Sequence, residues 1–408
     1  MSTPLDAAEA AVQRALSAGA VRDLVARLAL GTPRPAPLPE GEGVTVWSAD
    51  GLRAGVANAL PLLRRTRPAI VQLHAGPQGL TEHLASQAAL VRAAVPGVRL
   101  WVGVAWDGWV DDVAEGADVR RIVERVYLPA ARAAVAIGAE LLVINSEAAG
   151  KLHPRAARAL AVAAIDAIRA ECPGLLIGHT AYDHPDYHDE EQGNRVVDGD
   201  DEGYPWSAYY GAPELRGSVG GLLLPASGPV DLGLAQVYAA PPKDERTKRQ
   251  PMASVGALLR RAKGSAESFA RAVAAGWIDP RVPQRPYVQA HHVRAQDTAG
   301  HVARARLGCL WAAPTRLDAE GVRALEVLTR GRRGELGAGD VADPVVIAWA
   351  QGRLGLDPDA RWGNLSTAAC REHQRRAGIL DTGTLTAATL VSLSEVAMLR
   401  TEFAEICP

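Results

Sequence analysis

Residues 99–145 decide the fold, because a strand, a helix and a second strand follow one another within them. They read RLWVGVA at 99–105, VRRIVERVYLPAARAAVAI at 119–137 and LLVIN at 141–145. Both strand stretches are nearly continuous apolar runs, which is typical of parallel strands buried on both faces. The segment between them repeats its apolar residues at helical spacing. This stretch therefore predicts a strand–helix–strand unit with parallel strands.

The same alternation of strands and helices continues on both sides of this unit. Further strands are predicted at 44–48, 69–74, 175–179, 232–238, 286–290 and 308–312, and further helices at 80–94, 154–171, 255–275, 297–306 and 319–330. Eight such units over roughly 290 residues predict an α/β fold, a (β/α)8 barrel of the TIM type. A doubly wound open sheet is the main alternative. Its nucleotide-binding form would need a Gly-rich loop after the first strand, and the sequence has none there.

The barrel is predicted to occupy residues 44–333, with other segments on either side. Residues 1–43 predict a helical segment followed by a Pro-rich linker, and residues 334–343 predict a second linker. Residues 344–408 predict a small all-α domain with three helices, at 345–352, 366–377 and 384–393. Ser366 is the predicted N-cap of the second of these helices, and Gly378 is its predicted C-terminal stop.

Composition excludes several classes of protein. The formal net charge is −2, so no basic field predicts a nucleic-acid partner. The sequence has no run of 18 apolar residues, so no membrane span is expected. The four cysteines form no CxxC pair, and we expect neither a metal nor another cofactor. Cys370 and Cys407 lie in the same predicted domain, and the sequence leaves their pairing open.

The N-terminal sequence does not predict a secretory signal peptide. It has no basic n-region, and the charged residues Asp6, Glu9 and Arg14 interrupt any apolar stretch. Synthesis in the cytoplasm is therefore expected. If the protein acts on the cell wall, its release is expected through lysis or through packaging in a phage-like particle.

The predicted helical domain carries a recognisable set of residues at its helix ends and turns. They are Gln351, Leu354, Leu356, Asp359, Trp362, Gly363, His373, Gln374, Gly378, Ile379, Asp381, Leu385, Thr389 and Leu390. This pattern resembles the peptidoglycan-binding domains of many cell-wall hydrolases. Ala360, Ser366 and His373 depart from it, at places where that family usually has Gly, Thr and Phe.

The resemblance implies that the helical domain binds peptidoglycan glycan strands, with Trp362 and Gln374 as wall-binding residues. A generic three-helix unit that packs on the barrel or holds a partner protein is the alternative.

Polar and aromatic residues lie at the ends of nearly all the predicted strands. In barrel enzymes the active site is built at the carboxyl ends of the strands. Carboxylates can transfer protons, and aromatic faces can stack on sugar rings. The chain is also rich in Trp, with nine Trp and eight Tyr but only two Phe. These features predict a carbohydrate site at the barrel mouth.

Four residues are predicted to be catalytic. Glu147 follows the fourth strand and is the predicted general acid, since glycoside hydrolysis needs a proton donor at the glycosidic oxygen. Asp107 and Asp50 are the candidates for the second carboxylate, and Tyr238 would support the transition state or a substrate acetamido group. The predicted substrate-binding residues are Trp47, Gln72, Trp106, Asn145, Tyr182, Asp183, Gln236, Gln289 and Trp311.

This layout resembles the barrel glycosidases of the chitinase-like and Chalaropsis-type lysozyme families. Those families place an essential Glu at the end of strand four, usually in an Asp-x-Glu pair. Asn145-Ser146-Glu147 aligns with that pair, with Asn145 in place of the Asp. The resemblance implies a peptidoglycan hydrolase, a muramidase or a glucosaminidase. A phage or a phage-tail-like particle is the expected origin, and its structural proteins are then expected partners.

Two alternatives to a peptidoglycan hydrolase stay open. One is a non-catalytic wall-binding or structural particle component that retains the barrel as a scaffold. Asn145 favours it, because an amide cannot act as a base. The other is a barrel hydrolase that acts on a different polysaccharide.

Overall fold

The structure is a computed structural model. It describes residues 43–46, 52–75, 81–104, 119–145, 154–181, 230–237, 247, 252–254, 258, 284–288, 292–305, 310–311 and 318–394.

Eight parallel strands, paired in chain order, form the centre of the described chain. They are β1 (Gly43–Thr45), β2 (Ile70–Ala75), β3 (Arg99–Val104), β4 (Leu141–Asn145), β5 (Leu176–Ala181), β6 (Leu232–Val237), β7 (Gln284–Val288) and β8 (Leu310–Trp311). β8 also lies next to β1, so the sheet curls round into a barrel. The α/β barrel prediction is therefore confirmed. A doubly wound sheet would instead reverse its strand order at a switch point.

Helices connect and cover these strands. They are α1 (Leu52–Thr66), α2 (Leu84–Ala94), α3 (Val119–Ile122), α4 (Leu128–Ala136), α5 (Pro154–Glu171), α6 (Ala295–Ala305) and α7 (Ala319–Arg332). A π-helical turn, Val123–Tyr127, joins α3 to α4. No described helix is both long and apolar enough to cross a bilayer.

The sequence prediction located all eight strands to within a few residues but missed α1. This helix contains Pro61, which would ordinarily break a helix. Its apolar residues Val56, Ala59 and Leu63 are nevertheless buried against the barrel. The packing of this face therefore outweighs the local cost of the proline. The helix predicted at 255–275 lies almost wholly outside the described residues.

Side chains alternate between the two faces of the strands, which gives the barrel two separate apolar cores. Outward-facing residues such as Val71, Val102 and Ile144 pack under the surrounding helices. Inward-facing residues fill the barrel itself: Ile70, Trp101, Leu141, Val143, Leu232 and Leu234. Sites in barrels of this type lie at the carboxyl-terminal ends of the strands, beyond such an inner core.

Three C-terminal helices, α8 (Pro344–Arg353), α9 (Asn364–Arg376) and α10 (Ala387–Ser392), follow the barrel. They share an apolar core with it. Val346 and Trp349 of α8 belong to the same buried cluster as Val302 of α6 and Leu328 of α7.

Glycines bring α8 unusually close to the barrel helices. A Cβ at Gly352 would lie 2.3 Å from the carbonyl oxygen of Gly300, and a Cβ at Gly331 would lie 2.5 Å from the ring of Trp349. These contacts require residues without side chains.

The segment predicted as a linker, 334–343, is anchored by charged side chains. Arg330 binds Asp340 through two hydrogen bonds of 2.8 and 3.0 Å, which lower the pKa of the Asp340 carboxyl. Arg333 pairs with Glu335 and donates a hydrogen bond of 2.9 Å to the carbonyl of Thr66 at the end of α1. The connection from α7 to α8 is therefore fastened to the barrel.

Candidate functional site

Most of the predicted site residues lie outside the described residues, and their roles stay predictions. These are Glu147, Asp107, Asp50, Tyr238, Trp47, Trp106, Tyr182, Asp183 and Gln289. Asn145 and Trp311 are the last residues of β4 and β8, and Gln236 is the last but one of β6. Their backbones thus lie at the carboxyl end of the barrel, as predicted.

Gln72 and His74 form a buried polar pair on the inner face of β2. Both share that face with Ile70, which belongs to the inner core, and they are only 1% and 6% exposed. Nε2 of Gln72 lies 3.2 Å from Nε2 of His74. The sequence prediction included Gln72, but it assigned no role to His74.

The protonation state of His74 follows from this contact. The Gln72 amide nitrogen donates, so Nε2 of His74 accepts and the imidazole carries its hydrogen on Nδ1. Burial lowers the pKa of His74 to about 4. The pair is therefore neutral near pH 7. It can form hydrogen bonds there, but His74 does not supply a charge.

Gly103 of β3 makes room for this pair. It pairs with His74 in the sheet, and a Cβ at Gly103 would lie 2.6 Å from Nε2 of Gln72 and 2.8 Å from Cε1 of His74. The two polar side chains thus lie over the glycine backbone. A side chain at position 103 would displace them.

Arg285 of β7 places a buried cation in the same interior. It pairs with Leu234 of the inner core, and its side chain is 2% exposed. A buried guanidinium favours anionic or hydrogen-bond-accepting groups near it. The sequence prediction missed Arg285 because it began this strand at Pro286. The signal that could have located Arg285 was a single charged residue beside the short apolar segment 286–288.

Gln351 stabilises the first turn of the C-terminal helical unit, at residues 359–361. Its Nε2 donates to Oδ1 of Asp359 at 2.8 Å, to the Arg361 carbonyl at 2.9 Å and to Oγ of Ser366 at 3.0 Å. Its Oε1 accepts from the N–H of Ala360 at 3.0 Å. The prediction that Ser366 is an N-cap was wrong. α9 begins at Asn364 with Gly363 as its N-cap, and Ser366 lies in its first turn, where its hydroxyl accepts from Gln351.

Gln374 stabilises the second turn, at residues 382–384, in the same way. Its Nε2 donates to Oγ1 of Thr382, to the Thr384 carbonyl and to Oγ1 of Thr389, at 3.2, 3.0 and 2.9 Å. Its Oε1 accepts from the N–H of Gly383 at 2.8 Å. The side chain is fully buried, so any contribution of Gln374 to wall binding, which stays a prediction, would act through this turn.

The two turns are an internal repeat. Each partner of Gln374 stands the same number of residues after it as the corresponding partner of Gln351. The backbone repeats as well: Gly355 and Gly378 both follow a helix with positive φ. Gly378 thus ends α9 as predicted. Gln351 and Gln374 therefore hold two copies of the same turn motif.

Trp362 and Cys370 lie close to the second turn. Trp362 is partly exposed, packs against the shared core and donates from Nε1 to the Gly383 carbonyl at 3.1 Å. Its predicted role in wall binding is untested, although part of its ring is accessible. Cys370 is a buried free thiol, and Cys407 lies outside the described residues.

Ala360 occupies a glycine position of the repeat, and replacing it with glycine should stabilise the protein. Its φ is 59°, and the equivalent Gly383 has φ 70°. An L side chain is strained there, so Ala360→Gly is expected to raise the free energy of unfolding by about 1 kcal/mol. Chemical denaturation of the full chain measures the change.

Ala368→Gly is the matched control for this variant. Ala368 is exposed within α9, where glycine should lower the free energy of unfolding by about 1 kcal/mol. Equal effects at the two positions would contradict a strained Ala360.

A metal site does not emerge from the described ranges. They contain no group of three or more His, Cys, Asp or Glu side chains placed to hold a metal ion.

Comparisons with known proteins return a general likeness of fold. No family model and no curated protein matches the chain. Among solved structures, a beta-mannanase from the blue mussel Mytilus edulis is 8% identical, with a TM-score of 0.43 over 71% of this chain and 92% of that chain. A class V chitinase mutant from Cycas revoluta in complex with (GlcNAc)3 is 13% identical, with a TM-score of 0.44 over 70% and 98%. A class V chitinase from Nicotiana tobaccum is 11% identical, with a TM-score of 0.42 over 71% and 99%. Scores this low carry no functional argument, and the barrel assignment rests on the strand pairing itself.

Proposed function

We propose that this chain is a glycoside hydrolase that cleaves bacterial peptidoglycan, as a muramidase or a glucosaminidase. In this proposal the barrel cleaves the glycan and the C-terminal helical unit binds the wall. One observation carries the proposal. The carboxyl end of β4 places Asn145 at the barrel mouth, and the chain continues directly to Ser146 and Glu147.

The chemistry follows from the residue types at that end of the barrel. Glu147 would protonate the glycosidic oxygen as the bond to the anomeric carbon breaks, and the same carboxylate would then take a proton from the attacking water. Positive charge at the anomeric carbon needs a second group. Asp107 or Asp50 would supply it, or the acetamido oxygen of the substrate would do so in a substrate-assisted route, with Tyr238 as its support.

Wall targeting is supported by the repeated turns of the C-terminal unit. Gln351, Asp359, Gln374 and Thr389 belong to the residues that resemble peptidoglycan-binding domains, and they also take part in the two glutamine-held turns. A phage or phage-tail-like origin, with its particle proteins as partners, is part of the same proposal. Release would then occur through lysis or packaging.

Glu147→Gln tests the catalytic part of the proposal. We expect wild-type protein to reduce the turbidity of purified peptidoglycan and the variant to do so at least about 100-fold more slowly, because it has no acid to donate a proton. Mass spectrometry of the fragments identifies the new reducing end, MurNAc or GlcNAc. Glu82→Gln is the control, since Glu82 is an exposed residue before α2.

A non-catalytic wall-binding protein is the second candidate, and Asn145 in place of the usual Asp favours it. Sedimentation of the full chain with insoluble peptidoglycan separates the two. Binding without cleavage would support this candidate and contradict a hydrolase. A chain that neither sediments nor cleaves would contradict the wall as target.

A further inference from the structure

The inner face of β2 holds a buried acceptor without a hydrogen-bond partner among the described residues. Oε1 of Gln72 is buried and unpaired there, while the nitrogen of the same amide is bound to His74. An unpaired buried acceptor costs free energy comparable to a lost hydrogen bond. Such a group on the inner face of a barrel strand can accept a hydrogen bond from a ligand that enters the barrel.

The contact with His74 uses the nitrogen of the Gln72 amide and leaves its oxygen available to a ligand. In the structure the Gln72 amide directs its N–H towards Nε2 of His74, which therefore accepts in the tautomer that carries its hydrogen on Nδ1. Oε1 is then left for another partner. Gly103 keeps both side chains in place, because any Cβ there would lie within 3 Å of both of them.

The pair lies directly below the strand end that leads to Glu147. His74 pairs with Gly103, and Gly103 pairs with Val143 of β4. Asn145 is two residues further along β4, a rise of about 7 Å. A ring bound at the end of β4 can therefore direct a substituent down towards Gln72.

Charge limits the kind of group that fits. A carboxylate has no hydrogen to donate to Oε1, and an ammonium group would meet the buried Arg285 in the same interior. An uncharged O–H or amide N–H satisfies both conditions. Hydroxyl and acetamido groups of amino sugars are of this kind.

We propose that Gln72 forms the floor of a subsite that accepts a hydrogen bond from a hydroxyl or acetamido N–H of the glycan, and that His74 positions its amide. This inference rests on the proposed function and deepens it, because it assigns a recognition contact to an atom inside the barrel. Gln72 is a binding residue in this scheme. His74 acts through Gln72.

Gln72→Met tests the subsite, because methionine has nearly the same length and no acceptor of comparable strength. In a Glu147→Gln background, which prevents cleavage, calorimetry should show 10- to 100-fold weaker binding of a GlcNAc–MurNAc tetrasaccharide. Gln87→Met is the matched control: Gln87 is also buried, but on α2 outside the barrel, and binding should change less than twofold. The melting temperature of Gln72→Met should change little, because the variant removes an unpaired acceptor together with the N–H that binds His74.

His74→Phe tests the positioning role through a double-mutant cycle. Alone it should weaken tetrasaccharide binding, because the amide is then free to turn. Added to Gln72→Met it should have no further effect. Additive effects of the two substitutions would overturn a role of His74 through Gln72.

Two other outcomes are decisive and distinguishable. Equal binding by the parent and Gln72→Met would overturn the subsite and leave the hydrolase intact. No binding by any variant, together with no cleavage by the wild type, would overturn the proposed function itself.

Discussion

Gly352→Ala should destabilise the whole chain by about 3 kcal/mol or more, the upper range for forcing an extra methyl group into a packed contact. The new Cβ would lie 2.3 Å from the carbonyl oxygen of Gly300 and 2.9 Å from the backbone nitrogen of Arg304. Neither backbone atom can turn away as a flexible side chain could. α8 must therefore move off α6, which opens the core that the barrel shares with the C-terminal helices.

Urea denaturation of the full chain, followed by circular dichroism and tryptophan fluorescence, measures this effect. Because Trp349 lies in the shared core, we expect both signals to shift together. Gly363→Ala is the matched control, since no atom lies within 4 Å of its Cβ position and its φ is −112°. If Gly352→Ala left the barrel transition unchanged and loosened only the C-terminal helices, the shared core would not couple the two parts.

Lowering the pH should destabilise the protein at pH values well above those at which carboxylates titrate. His74 and His179 are buried, and burial lowers their pKa values to about 4 and about 3. The pKa of His301, whose Nε2 is buried, is lowered to about 4 by burial and by Arg304.

The sign follows from proton uptake. In the unfolded chain these histidines bind a proton below their usual pKa of 6.5, whereas the folded chain keeps them neutral until about pH 4. The stability is complete above pH 6.5 and falls as the pH drops towards 4. At pH 5 the loss should be about 2 kcal/mol for each fully buried histidine. The partly exposed ring of His301 should contribute less.

Urea denaturation at pH 7.5, 6 and 5 measures this dependence. His179→Gln should have a shallower slope, because one proton fewer is taken up on unfolding. His83→Gln is the control, since His83 is a partly exposed histidine at the N-cap of α2. A free energy of unfolding that is constant between pH 7.5 and 5 would contradict neutral buried histidines.

The barrel was predictable because its evidence is local. Parallel strands covered on both faces must be apolar along their whole length, and helices between them must carry one apolar face. Runs such as LLVIN at 141–145 therefore identify strands without knowledge of their neighbours. The helix α1 was missed for the same reason. Pro61 is a strong local signal, and only packing against the sheet outweighs it.

The candidate site was predictable only as a set of strand ends. Gln72 and Asn145 were located by their place after apolar runs. The contact of Gln72 with His74 depends on Gly103, which comes from another strand, and Arg285 faces the barrel interior through its register with β6. Sequence spacing along one strand cannot show either relation.

The C-terminal helices show most clearly which features could not be predicted from the sequence alone. The eight strands, most of the described helices between them and the three terminal helices could be predicted, because propensity and periodicity act between near neighbours in the chain. The enclosure of Gln374 by its own turn and the close contacts of Gly300, Gly331 and Gly352 between these helices and the barrel appear only in the folded structure. The physical reason is that burial and close approach are properties of residues brought together from distant parts of the chain.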